Sequence, residues 1–216
     1  MALTKIEASN IAAGAVASSG LNSVQTFTAS GTWTKPTDIT KIIVEVQGGG
    51  GSGSSSTTAQ YTCSGSGAGY ARKFLDVTNI DTVTVVVGAG GTSQTTATTA
   101  GNAGGLSSFI KNTGSGSFTD VIGNGGLGGI ITGWGAGPIG GTGTGGDLNI
   151  AGGRGWMASD YIPAGDAFLG SPGRGSSDAS GVALDGVGYG AAGGAAQNQA
   201  ASGAGAPGIV YVQEYK

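Results

Sequence analysis

Gly123-Asn124-Gly125-Gly126-Leu127-Gly128-Gly129 and Gly137-Pro138-Ile139-Gly140-Gly141-Thr142-Gly143-Thr144-Gly145-Gly146 both place glycine at every third position. The interval returns at Gly152 and Gly155, and again at Gly190 and Gly193. Three residues per turn is the period of the polyproline II helix, which rises about 3.1 Å per residue and makes no internal hydrogen bonds. Buried N–H and C=O groups of such a segment must therefore find partners in other segments. Rods lying side by side supply them, provided that a glycine-lined edge lets the backbones approach. CαH···O contacts between rods then add about 0.5–1 kcal/mol each. A flexible Gly/Ser linker is the competing reading, but here the glycine pairs alternate with Ile, Leu, Trp and Tyr.

Working outward, 48 of the 216 residues are glycine, about 22% against a usual share of about 7%. Each glycine held in regular structure costs about 0.5–1 kcal/mol relative to alanine, so something systematic must offset the total. Only 10% of residues are charged and 38% are hydrophobic, the opposite of the high-charge signature of disorder. Five prolines are too few for collagen. With no histidine and a single cysteine, Cys63, the common zinc sets, His-based triads and an intrachain disulfide are excluded. A net charge of −3 argues against nucleic acid as a partner. No apolar run approaches the length of a membrane span, and Met1 to Gly20 does not read as a secretory signal.

Residues 1–23 are small and polar, with Ile6, Ile11 and Val16 at a spacing that suits neither helix nor strand, and read as a tail or attachment segment. Residues 24–87 read as a β-domain. Short β-prone runs occur at 24–28, 31–34, 41–47, 71–77 and 82–87, and in the third of these Ile42, Val44 and Val46 share one face. Residues 88–207 form the glycine-rich part, and residues 208–216 are a strand expected to return to the β-domain. The expected fold class is all-β plus non-regular: a small antiparallel β-domain with packed polyglycine II rods and essentially no α-helix. Segments 52–66, 92–100, 111–117, 130–134, 156–169, 176–184 and 195–202 interrupt the glycine period and read as loops joining rods. Stacked rods place such loops at two ends, one beside the β-domain and one free.

Chemistry-bearing motifs are few. Gly-x-Gly patterns lack a following Gly-Lys-Ser/Thr and a βαβ context, so no phosphate loop is read. Asp147, Asp160 and Asp166 lack calcium-loop spacing and read as solvated acids. Cys63 has no histidine to activate it. Neither catalytic residues, metal nor cofactor are expected. The stretch Arg154-Gly155-Trp156-Met157-Ala158-Ser159-Asp160-Tyr161, with Phe168 beyond it, gathers large side chains in a field of very small ones. Such residues are enriched at recognition surfaces, so Arg154, Trp156, Met157, Asp160, Tyr161 and Phe168 are the candidate receptor-binding residues. The alternative is that Trp156, Tyr161 and Phe168 fold inward as a small cap.

Several segments together resemble a known group: Phe27 to Pro36, Val44 to Gly51, Gly67 to Lys73, Val85 to Gly91, Gly104 to Phe109 and Gly205 to Tyr215. In order, over residues 25–216, they are similar to the glycine-rich domain of tail-fibre and tail-tip proteins of tailed bacteriophages, including the distal adhesins of T-even-like phages. The resemblance implies a β-domain and packed polyglycine II helices whose free-end loops contact a bacterial surface receptor, protein or glycan. It also implies a virion location, and partners among tail subunits reached through residues 1–23 and the β-domain, without membrane insertion. Rival readings are a purely structural virion protein, an ice-binding protein and a sugar depolymerase.

Overall fold

The computed structural model describes residues 20–58, 61–95, 97–131, 137–157, 162–177, 182–198 and 200–216. The strands in chain order are β1 (Leu21–Phe27), β2 (Gly31–Thr34), β3 (Lys41–Gln47), β4 (Tyr70–Asp76), β5 (Thr82–Val86), β6 (Ser107–Thr113), β7 (Val121–Gly123), β8 (Gly143–Thr144), β9 (Leu148–Ile150), β10 (Gly170–Ser171), β11 (Val187–Gly188) and β12 (Ile209–Tyr215). All pair antiparallel, and no helix occurs among the described residues, so the protein is all-β. One five-stranded sheet has the order β1-β12-β3-β4-β9 and the other β2-β5-β6-β7-β8. The terminal strand β12 lies between β1 and β3, with Val210 opposite Val46 and Tyr215 opposite Lys41.

Period-2 alternation decides which faces meet. Ile42, Val44 and Val46 of β3, Val210 and Val212 of β12, and Ala71 and Leu75 of β4 point inward from one sheet. Trp33 of β2, Val83 and Val85 of β5, Phe109 of β6 and Val121 of β7 meet them from the other. Trp33 is fully buried, its ring 5.8 Å from that of Phe109. Its Nε1 donates to Glu214, a carboxylate buried between the sheets that also accepts from Ser23 and Gln25 of β1. This one acid ties the edge strand β1 to the core.

The strands run on into the rods. Gly48, Gly51 and Ser54 donate to the carbonyls of Gly69, Ser66 and Cys63 at 3.1 Å, a step of three on both sides. Gly49, Ser52 and Ser55 donate in the same steps to Gly105, Asn102 and Thr99, while Gly50 and Gly53 donate to Ala206 and Gly203. In the other direction Gly49 and Ser52 accept from Gly126 and Gly129, Gly51 and Ser54 from Gly193 and Ala196, and Gly50 from Gly91. Residues 48–56 thus form a threefold rod bonded to six neighbours, the polyglycine II arrangement. Residues 63–69 and 190–196 are the other two inner rods, buried along their whole length. At 3.1 Å per residue the 48–56 rod is about 25 Å long.

Two readings of local sequence need correction. Segment 52–66 is mostly two inner rods, 48–56 and 63–69, and of the described residues between them 57, 58 and 61 are exposed. Serine hides the period there, because at several rod positions it replaces glycine and its hydroxyl takes up backbone groups. Ser52, Ser64, Ser66 and Ser107 accept through Oγ from the N–H of Asn102, Ala195, Leu127 and Gly88. None of these four N–H groups donates to a backbone carbonyl among the described residues, so the hydroxyls complete the pairing that the rod lattice leaves open. Segment 111–117 begins inside β6, a strand that starts with two adjacent buried serines, one on each face, and so shows no hydrophobic alternation. Strands and rods therefore interleave along the chain: rods begin at residue 48, and β6 and β7 complete the second sheet well after residue 87.

Candidate functional site

Each rod leaves the sheets, turns at the far end and comes back. Residues 48–56 lead away and 63–69 return to β4; 88–91 lead away from β5 and 99–105 return to β6; 124–130 lead away from β7. The described residues flanking 59–60, 96, 132–136, 158–161, 178–181 and 199 therefore lie at one pole. They are stitched together. Asn198 donates to the Thr58 carbonyl and, through Nδ2, to that of Ser177. The Thr57 and Thr98 hydroxyls lie 3.0 Å apart, Ser202 N–H donates to the Gln94 carbonyl, and Thr62 and Cys63 bridge to Ile131 and Met157. Six of the interruptions in the glycine period, at 52–66, 92–100, 130–134, 156–169, 176–184 and 195–202, overlap these connections.

At this pole Trp156 exposes 53% of its surface while its carbonyl, on the rod, accepts from Ser64 N–H at 2.8 Å. The backbone is held and the indole is free of the core, so Trp156 does not fold inward. Met157 is half-buried against Cys63. Arg154 lies two residues down the rod, and its Nε and Nη2 donate to the Gly137 carbonyl at 3.3 and 3.2 Å. Asp160 and Tyr161 lie outside the described residues. Phe168 is elsewhere: its ring centroid is 4.4 Å from that of Tyr70, at the junction of rods and sheet, where Tyr70 donates through its hydroxyl to Glu45. Arg154, Trp156 and Met157 thus come together, and Phe168 does not join them. Chain distance misled here, because one returning rod separates residue 157 from residue 168.

Composition did not single out Tyr61, Ile130 and Val182, which are exposed at or beside the same pole. They are ordinary residues in ordinary loops, and only the convergence of the turns gives them a shared surface. The described tip residues, 57–58, 61–62, 92–95, 97–100, 130–131, 156–157, 162–163, 176–177, 182–183, 196–198 and 200–202, carry no charge. Among the described residues no group of three Cys, Asp or Glu side chains could hold a metal ion. The glycine-rich domain family matches residues 23–215. The chain belongs to this family. A comparison with curated proteins gives no match.

In this glycine-rich domain Cys63 is the one thiol, and it sits under the tip, fully buried among rods. Burial pushes its pKa up from the ordinary thiol range, which disfavours the reactive thiolate. A disulfide-exchange reagent at neutral pH is expected to label Cys63 in denaturant within minutes and to leave the native domain unlabelled over hours. Rapid native labelling, followed by absorbance of the released thiolate, would show that the rods around residues 63–69 open readily.

Proposed function

We propose that this protein is a receptor-binding tip of a bacteriophage tail fibre, a virion protein that recognises a bacterial surface molecule through the loops at the far pole and catalyses no reaction. The observation that carries the reading is polarity. The described rod ends that flank the six connecting segments converge on one pole, whereas residue 20 and residue 216 meet at the other, where Lys216 N–H donates to the Gly20 carbonyl. A segment attached before residue 20 would hold the domain by its sheets and present the loops outward. The family membership and the order of its framework segments support the same reading. The rods supply a stiff base and the loops can vary without disturbing it, the usual division between scaffold and binding surface.

Trp156 is the expected centre of contact, with Arg154 and Met157 beside it and Tyr61 exposed just before the 63–69 rod. Trp156→Ala is expected to weaken adsorption of the purified chain to receptor-bearing cells by about thirtyfold or more, the effect of losing a central aromatic contact. The melting temperature should stay nearly unchanged, because the indole packs no core. Equal loss of both would mean that Trp156 is structural. Adsorption that survives replacement of each far-pole loop by Gly-Ser-Gly would overturn recognition through these loops, and an intact chain that does not adsorb would leave a purely structural virion role.

A further inference from the structure

The two five-stranded sheets have four outer strands, and three of them are protected against pairing with another chain. β8 and β9 are two and three residues long, and β2 has four residues followed by Lys35 and Pro36. Where β9 stops short of the end of β4, the Asp147 carboxylate accepts from the Phe74 N–H at 2.9 Å and occupies the edge. Short strands, prolines and charges are the usual means of keeping sheet edges apart. β1 has none of them. Leu21-Asn22-Ser23-Val24-Gln25-Thr26-Phe27 is seven residues long, uncharged, free of proline and, among the described residues, paired only with β12. Its single bulge lies at the Leu21/Ser23 end and leaves residues 23–27 in regular register.

We propose that β1 is a self-association edge that pairs antiparallel with β1 of a second copy of this chain, joining two five-stranded sheets into one. The strand is a chemical palindrome about Val24. With Val24 opposite Val24, Ser23 faces Gln25 within the regular stretch, and Asn22 and Leu21 of the bulged end approach Thr26 and Phe27, so polar residues meet polar and apolar meet apolar. A twofold axis at Val24 makes the contact isologous, the commonest way for identical chains to close an assembly. The side chains are already sorted for it. Ser23 and Gln25 are turned inward and held by Glu214, while Val24 and Thr26 stand exposed on the opposite face. The dyad runs across the strands, so the loop poles of the two copies point in opposite directions. This inference is independent of the receptor-binding reading, and a carrier that uses the same edge would compete with the dimer.

Sedimentation equilibrium of the full chain is expected to show a dimer that is half formed at or below about 0.1 mM. Val24→Lys places two ammonium groups face to face on the axis and should weaken the dimer by about tenfold or more. Its melting temperature, measured in dilute solution where the wild type is monomeric, should match the wild type, because Val24 lies outside the core. Val24→Cys should cross-link to itself under mild oxidation, since Cα atoms directly opposite across an antiparallel pair are about 4.5–5.5 Å apart, within disulfide range. Val187→Cys, exposed on β11, is the control and should stay monomeric. A wild-type monomer up to about 0.1 mM overturns the proposal, as does a dimer that Val24→Lys leaves intact, or Val24→Cys cross-linking no faster than Val187→Cys. A chain that dimerises only after removal of residues 1–19 also overturns it, by assigning the edge to that segment.

Discussion

Gly53→Ala is expected to lower the melting temperature by about 10 °C or more, the equivalent of about 4 kcal/mol in a chain of this size. Gly53 lies in the inner 48–56 rod, where a Cβ would fall inside the Gly194 carbonyl group, far within van der Waals contact. No flexible side chain is there to yield, because the obstacle is the backbone of another inner rod. Relief requires rods 48–56 and 190–196 to separate, which strains the bonds from Ser54 and Gly51 to that rod and the shared neighbours of both. Gly126 and Gly143 are placed in the same way against the carbonyls of Ser66 and Tyr70, so their substitution by valine should be at least as damaging. The control is Gly31→Ala at the start of β2, where the new methyl meets only Phe27 Cδ1 at 4.0 Å, and stability should change by about 0.5 kcal/mol or less. Thermal denaturation of the pair checks the rod lattice directly. Similar melting temperatures for Gly53→Ala and Gly31→Ala would refute close packing.

Glu214→Ala should cost about 3 kcal/mol, read as a lower denaturant midpoint at unchanged slope. The carboxylate is 1% exposed and accepts at 2.7 Å from Trp33 Nε1 and at 2.8 Å from Gln25 Nε2, with Ser23 as its third donor. Truncation strands the indole N–H between the sheets and opens a cavity beside it. Glu214→Gln keeps the volume but turns one acceptor into a donor against three donors, so it should fall between wild type and alanine. Because two of the donors belong to β1, hydrogen exchange in β1 should rise more than in β3 or β4. Equal protection of β1 in wild type and Glu214→Ala would mean that strand pairing with β12 alone holds this edge.

Much of this architecture could be read from individual residues. The alternation of Ile42, Val44 and Val46 located a buried face, and the apolar run ending at Tyr215 identified a strand that had to return to the sheet. The threefold glycine interval named the rod conformation. Inner rods with serine at glycine positions were not legible, since an Oγ that accepts a backbone N–H looks in sequence like any polar loop residue. β6 was hidden for a related reason, as Ser107 and Ser108 are buried without being hydrophobic. For the candidate site, composition drew attention to Arg154, Trp156 and Met157, which do lie together. It also drew in Phe168, which packs against Tyr70 at the sheet end of the rods.

Sequence by itself determined the local conformations at two kinds of place: strand where β-branched residues alternate, and threefold rod where glycine recurs by three. Those preferences are short-range and act through each residue's own backbone and nearest neighbours. Only the tertiary structure decided which rods are inner, which serines replace carbonyl partners, and which loops share a pole. A polyglycine II segment has no internal hydrogen bonds, so all of its bonding is with segments distant in the chain. Thr57 meets Thr98, and Cys63 meets Met157, because the rods between them lie side by side in the lattice.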